Sequence, residues 1–434
     1  MKLTKSIKVA ILGLGTVGSG VYKLLTEQKD DFHWKIGSDL EVAKILVKNI
    51  NKKREGNIEP SLITNDWRSI IEDDEIKIVI EVMGGIEPSK TYILEALEAG
   101  KSVVTANKDL LAEYGKELFD AADKKGNDLA FEASVAGGIP IIRPLKQCLS
   151  GNNIEEILGI INGTTNYILT KMTKSQQDFN EALKEAQELG YAESDPTNDI
   201  EGYDAARKLA ILASLAFHSR VTFSDVYVEG ISKLSLADIT YAKELGYTVK
   251  LIGTARNTDE GVEARVHPMF IPNLHPLAAV NDSFNAVFVK GNAVGETMFF
   301  GRGAGQMPTA SAVVGDVIDV ARNIVNNCTG RIACTCFYSN PVKNIKEIKT
   351  KYYLRLQVKD KPGVLASIAG VFGNHDVSLA TVIQKHRSEN MAEIVVITDY
   401  VLEKHIRDAL QIINGLSIVT EISALIRVYS NDEA

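Results

Sequence analysis

The run Ile7 to Leu12, apolar apart from Lys8, passes directly into Gly13-Leu14-Gly15-Thr16-Val17-Gly18. A helical pattern follows, with Val17, Val21, Leu24 and Leu25 on one side. Strand, glycine turn and helix in that order leave the backbone few options. The first glycine permits a tight turn, the second lets a ligand come close to the backbone, and the third lets helix lie on strand. The free N–H groups and the dipole at the helix start then favour an anion. In this context the spacing reads as a binding site for a dinucleotide pyrophosphate.

Further apolar, β-branched runs occur at 40–47, 76–82, 102–105 and 129–131. Helical patterns at 91–99 and 110–124, ended by Gly100 and Gly126, separate the later ones. Alternation of this kind predicts a Rossmann-type, doubly wound parallel sheet in an α/β chain. Ligands of such sheets lie beyond the C-terminal ends of the strands. Those ends are 13–18, the loop after Val47, Gly84-Gly85, Thr105 to Lys108, and Glu132 onward. The loop Lys48-Asn-Ile-Asn-Lys52-Lys53-Arg54 is basic, with no carboxylate before Glu55. Basic residues there accommodate a 2′-phosphate, so NADPH is expected ahead of NAD. A solvated basic loop is the plain alternative.

The 434 residues suggest two or three domains at roughly 150 each. A net charge of −8 without a basic face argues against nucleic acid. Four cysteines are too few for a disulfide framework, and Cys334-Thr-Cys336 lacks the second half of a zinc site, so buried or inert thiols are expected. Lys2, Lys5 and Lys8 before Val9 to Leu12 mimic a secretory signal, but the glycines break the run. No stretch reaches the ~18 apolar residues of a membrane span, so no membrane partner and a cytoplasmic location are expected.

Chemistry concentrates between Gly190 and Lys208. Asp178 and Glu181 have capping-box spacing for one helix, which Gly190 ends. Glu193, Asp195, Pro196 and Asp199 form a turn, and a second helix follows that is apolar almost all round. Glu201, Asp204 and Lys208 are spaced to line one side of it. A structural ion pair between Asp204 and Lys208 is one account; buried charges with a task are the other.

The stretch from Gly190 to Lys208 resembles the signature of the homoserine dehydrogenase family. Other family motifs recur in order from Gly13 to Gly305. The resemblance implies NAD(P)-dependent interconversion of L-aspartate 4-semialdehyde and L-homoserine, within threonine and methionine biosynthesis. It assigns catalysis to Lys208, with Lys108 of Thr105-Ala-Asn107-Lys108 as a second cation. It places substrate at Gly190, Glu193, Asp199 and Asp204. Cofactor would lie along Gly13, Leu14, Gly15, Thr16, Val17, Gly18, Thr105, Asn107, Lys108 and Gly305. It also implies a sodium ion on Glu132, Val135, Gly137 and Ile139, and contacts from Gly163-Thr-Thr-Asn166. The sequence leaves both protonation states of Lys208 open.

Beyond Pro140, alternating runs at 249–254, 262–268 and 284–289 predict a mixed sheet. The family implies that it pairs across a homodimer or homotetramer. Gly301-Arg-Gly-Ala-Gly305 precedes a helix at 309–326, which the family uses to complete the nucleotide-binding region. The expected domains are therefore 1–135 with about 305–330, a catalytic and dimerisation domain at 136–304, a linker at 340–351, and 352–434. With the fingerprint starting at Gly13, no fused kinase is expected ahead of it.

The last segment reads as βαββαβ, the ferredoxin-like order. Its turn Asp360-Lys-Pro-Gly363-Val364-Leu365 resembles that of ACT domains, small modules that bind amino acids. That resemblance implies an effector, L-threonine, near Asp360, Gly363, Val364, Leu365 and Asn374. A purely structural role is the alternative here, and a non-catalytic nucleotide sensor is the alternative for the whole chain. The paired lysines and Glu193 argue against the sensor.

Overall fold

The computed structural model describes residues 6–52, 54, 58–388 and 390–430, and of 386–388 the backbone alone. Lys53 and Glu55 of the basic loop, and Lys2 and Lys5, lie outside the described residues. The chain forms two compact units. One comprises Met1–Ile154, Ala210–Asp225 and Asn285–Ser339; the other comprises Glu155–Leu209, Val226–Phe284 and Asn340–Ala434.

The first unit begins with β1 (Ile7–Leu12), α1 (Thr16–Glu27), α2 (Lys29–Ile36), β2 (Leu40–Leu46), β3 (Ile63–Thr64) and α3 (Arg68–Ile71). It continues through β4 (Ile76–Glu81), α4 (Ser89–Glu98), β5 (Ser102–Thr105), α5 (Lys108–Lys125) and β6 (Leu129–Ala130). All neighbours in the order β3-β2-β1-β4-β5-β6 run parallel. Val9, Ile11, Ile78, Ile80 and Val104 are fully buried, as strands covered on both faces require. Asn107 caps α5 by accepting from the Leu110 N–H at 3.1 Å.

The second unit carries β7 (Ile154–Ile160), α6 (Gly163–Ser175), α7 (Phe179–Glu188), α8 (Thr197–Ile200), the start of α9 (Tyr203–Ala216), β8 (Tyr227–Val228), α10 (Leu236–Glu244), β9 (Tyr247–Thr258) and β10 (Gly261–Pro272). The capping box at the start of α7 forms as the spacing predicts, Asp178 accepting from the Glu181 N–H and Glu181 from the Asp178 N–H. β9 and β10 form a long antiparallel pair, and β7 joins β9 antiparallel.

The chain then returns to the first unit with β11 (Phe284–Gly291), β12 (Gly295–Arg302) and α11 (Gln306–Val325). α11 lies on α1: a methyl group at Gly20 would stand 2.9 Å from the Gln306 carbonyl oxygen. The glycines at 303 and 137 have a packing reason that the sequence did not show. A Cβ at Gly303 would overlap the Asn285 amide at 2.1 Å, and one at Gly137 would stand 2.3 Å from the Gly303 carbonyl oxygen.

The C-terminal module is β13 (Lys349–Lys359), α12 (Val364–Asn374), β14 (Leu379–Ser388), β15 (Met391–Thr398), a short β16 (Val401–Leu402), α13 (Glu403–Asn414) and β17 (Val419–Val428). Its antiparallel order β17-β13-β15-β14 is ferredoxin-like, over a core of Leu354, Leu356, Ile368, Phe372, Ile406 and Ile413. Residues 340–351 are more structured than a linker. Val342 bridges Val262, and Lys343 pairs with Glu260 at 2.7 Å and Glu263 at 3.3 Å. β17 joins β10 in parallel at Met269–Arg427 and Phe270–Val428, so the module continues the sheet of its own unit. Buried charges fasten it further: Arg355 donates to Asp238 at 2.8 Å and to Glu393 at 3.3 Å.

Candidate active site

In the first unit the glycine turn is built for close approach. Gly13 has φ +98°, and a Cβ there would stand 2.9 Å from the Val82 carbonyl oxygen. A Cβ at Gly18 would lie 2.1 Å from the Gly13 oxygen, so strand and helix pack there without room for a side chain. Gly15 has nothing within 4 Å of where its Cβ would be, which leaves open space at the start of α1. That arrangement fits a dinucleotide phosphate.

Glu81 shapes the neighbouring strand ends, a role the sequence reading missed. Fully buried, it accepts from the Met83 N–H at 2.9 Å, the Gly84 N–H at 3.1 Å and the Thr105 hydroxyl at 2.6 Å. Asn107 donates to the Gly85 carbonyl at 2.6 Å. The glycine pair at 84–85 and Thr105 to Lys108 thus form one hydrogen-bonded rim. A lone carboxylate inside an apolar strand was the available signal. Lys108, half-buried, opens α5 from this rim. In the basic loop, Arg54 folds back to donate to the Lys52 and Asn49 carbonyls at 2.9 and 2.6 Å. Lys48 and Lys52 stay exposed.

The Glu132 carboxylate is engaged by protein donors. Its two oxygens accept from the Ile141, Ile142 and Arg143 N–H groups at 2.6, 2.7 and 2.9 Å, and from Arg143 Nε at 3.4 Å. Those four donors use the lone pairs a carboxylate has. The sodium expected on Glu132, Val135, Gly137 and Ile139 therefore finds no free carboxylate oxygen. Among the described residues no group of three His, Cys, Asp or Glu could hold a metal ion. The neighbouring Cys336, aided by Arg220 and Lys146, draws the Cys334 thiol below the usual thiol range, and the same pairing together with burial pushes Cys336 up.

In the second unit Asn162 organises the chemistry. At the N-cap of α6 its side-chain oxygen accepts from the Thr165 N–H at 2.9 Å, and its Nδ2 donates to Asp199 at 2.7 Å and Asp204 at 2.9 Å. Lys208 Nζ donates to Asp204 Oδ2 at 2.6 Å and to the Ile161 carbonyl at 2.8 Å. The Lys208 and Asp204 side chains are only 13% and 11% exposed. An ammonium has three protons, so one is left for a ligand. Burial raises the pKa of Asp199, opposed by the Asn162 hydrogen bond. Glu201 departs from expectation: α9 starts at Tyr203, so Glu201 lies ahead of the helix, with its carboxylate beside Gly230. Gly190 (φ +74°) and Glu193 lie in the exposed turn after α7. Asn166 is held by its own donations to the Val280 and Phe284 carbonyls.

Two family models cover most of the chain, "Homoserine dehydrogenase, NAD binding domain" over residues 13–132 and "Homoserine dehydrogenase" over 140–318. The homoserine dehydrogenase of Bacillus subtilis is 46% identical over 98% of this chain and 99% of its own length. This chain belongs to the homoserine dehydrogenase family. It is an NAD(P)-dependent oxidoreductase, and its C-terminal module is an ACT domain, matched over 352–416. The family's protein from Corynebacterium glutamicum is 47% identical over 98% of this chain and 96% of its own length. The crystal structure of a homoserine dehydrogenase from Thiobacillus denitrificans superposes with a TM-score of 0.92 at 42% identity, covering 98% of this chain and 99% of that one. A hyperthermophilic archaeal homoserine dehydrogenase mutant in complex with NADPH, 27% identical, matches 73% of this chain and 98% of its own with a TM-score of 0.62. Among the described residues no helix is long and apolar enough to cross a membrane.

Proposed function

We propose that the protein reduces L-aspartate 4-semialdehyde reversibly to L-homoserine, a step toward threonine and methionine, with Lys208 as the proton donor. The observation that carries this reading is the Asn162–Asp204–Lys208 network, which buries an ammonium with one proton uncommitted. When bound, the nicotinamide supplies the hydride. Lys208 delivers the proton to the aldehyde oxygen as it becomes an alcohol, and Asp204 with the Ile161 carbonyl fixes its direction. Asp199 and Asp204, joined through Asn162, and the exposed carboxylate of Glu193 suit the α-ammonium of the substrate. Lys108, at the rim in the first unit, is the second cation that the family resemblance gives for the reaction.

The dinucleotide would lie along Gly13 to Gly18, with Thr105, Asn107 and Gly305 nearby. Lys48 and Lys52 favour a 2′-phosphate and hence NADPH, a reading supported by the NADPH complex of the archaeal relative. The ACT domain suits an amino-acid effector, with L-threonine as end product the first choice, in a cytoplasmic homodimer or homotetramer. Of the residues expected around it, Asp360 and Gly363 lie in the turn that leads into α12, and Val364 and Leu365 in the first turn of that helix. Asn374 ends that helix, about 15 Å of rise away, too far for one small molecule in the same copy.

Oxidation of NADPH on adding L-aspartate 4-semialdehyde tests the reaction, and no absorbance change with either reduced cofactor would refute it. Replacing Lys48 and Lys52 by Glu should lower kcat/KM for NADPH while sparing NADH.

A further inference from the structure

The segment after α11 carries Cys334-Thr335-Cys336 within the first unit, and hydride transfer makes no use of it. The chain turns tightly there, with the Phe337 N–H donating to the Thr335 carbonyl at 3.1 Å. Two cysteines this close in the chain can join only where their side chains converge. Here they do: the Cys334 sulphur accepts from both the thiol and the backbone N–H of Cys336. Cys336 is held from the far side as well, its Sγ 3.5 Å from the Ser214 carbonyl oxygen in the last turn of α9.

Both cysteines line a crevice with Lys146, Arg220, Phe119 and Phe131. The Lys146 ammonium stands 5.7 Å from the centre of each phenyl ring. Gly115 leaves room for the second cation, since a Cβ there would lie 2.9 Å from Arg220 Nη1. Among the described residues neither Lys146 nor Arg220 has a carboxylate in ion-pair contact. Their charge favours a thiolate at Cys334, and the thiolate is the nucleophile. Size then selects the oxidant. The crevice holds about 20 Å³, where one water needs roughly 10–15 Å³. It admits hydrogen peroxide, which is little larger than water, and excludes a bulky disulfide.

We propose that Cys334 and Cys336 form a peroxide-reactive dithiol, a modification site of the first unit. The Cys334 thiolate attacks one oxygen of hydrogen peroxide. The O–O bond breaks, a sulfenic acid forms, and the hydroxide that leaves takes up the proton Cys334 had released. The Cys336 sulphur then attacks the Cys334 sulphur, the S–O bond breaks, and the second hydroxide departs as water with the Cys336 proton. Two thiols are oxidised to one disulfide while one peroxide is reduced to two waters.

The test exposes the reduced full chain to a small excess of hydrogen peroxide, blocks the remaining thiols with iodoacetamide and weighs the tryptic peptides. Peptide 332–343, which holds both cysteines, should escape alkylation and weigh two hydrogens less, before exposed Cys148 reacts. Dithiothreitol should reverse the change. Cys336→Ser should leave a sulfenic acid on Cys334 that dimedone traps, and Cys334→Ser should leave Cys336 unoxidised over the same time. Replacing Lys146 and Arg220 together by Met should slow the reaction by about tenfold or more as the thiolate fraction falls. Circular dichroism checks each fold, and if that double variant does not fold the two cysteine variants decide alone. The assignment is overturned if Cys148 oxidises as fast as the pair or the bridge forms to Cys328. Sulfinic acid at Cys334 without a disulfide, or an unchanged rate in the folded double variant, would overturn it equally.

Discussion

The ammonium of Lys208 sits 2.6 Å from the carboxylate of Asp204, one helical turn earlier, and both side chains are nearly enclosed. The pair is anchored from outside its helix by Asn162, which donates to Asp204 while capping α6. A surface pair at this spacing would contribute little. Enclosed and hydrogen-bonded from a second helix, this one holds a cation in a fixed direction.

Replacing Lys208 by Ala should lower kcat by about 10²–10⁴-fold with little change in KM, the range for losing a general acid. Steady-state kinetics on folded variant, verified by circular dichroism, measures it. A variant with near-normal turnover would transfer the role to Lys108 or to water.

Two glycines of the fingerprint should separate folding from binding. Gly15→Ala has open space and φ −83°, so the melting temperature should hold while the KM for cofactor rises. Gly18→Ala would force a methyl group to 2.1 Å from the Gly13 oxygen, so both stability and cofactor affinity should fall. Thermal melts and cofactor titrations of the two variants distinguish the effects.

Asp238 receives the Arg355 guanidinium in a buried contact that ties the C-terminal module to α10. Asp238→Ala would leave that cation unpaired and should cost about 3–5 kcal/mol in urea unfolding. Replacing Asp238 and Arg355 together by apolar residues should cost much less.

Glu185 gathers the Lys171 ammonium at 2.7 Å, Gln177 at 3.0 Å and the Tyr167 hydroxyl at 2.8 Å, joining α6 to α7. The Lys171 hydrogen bond, followed by those from Gln177 and Tyr167, holds its pKa down to about 2. An unfolded glutamate titrates near ~4.3, so the folded state binds this proton less readily. Its stabilisation is present above that value and is lost as pH falls toward about 2. The gap in melting temperature between wild type and Glu185→Gln should be open at pH 6 and closed by about pH 2.

Much of this was legible in the chain because the signals are local. The glycine turn at 13–18 and the Asp178–Glu181 capping box are set by neighbours a few residues apart, through sterics and local side-chain hydrogen bonds. The spacing of Asp204 and Lys208 showed that they share a helix face. Only the tertiary structure decided what that face meets, since Asn162 lies some forty positions earlier. The same holds for the return of α11 onto α1 at Gly20, for the four donors that occupy Glu132, and for the pairing of β8 and β17 with β10. Each is a contact between segments distant in the chain. Such contacts depend on how complete elements pack and on which buried polar groups must find partners, and no short window of sequence encodes that choice.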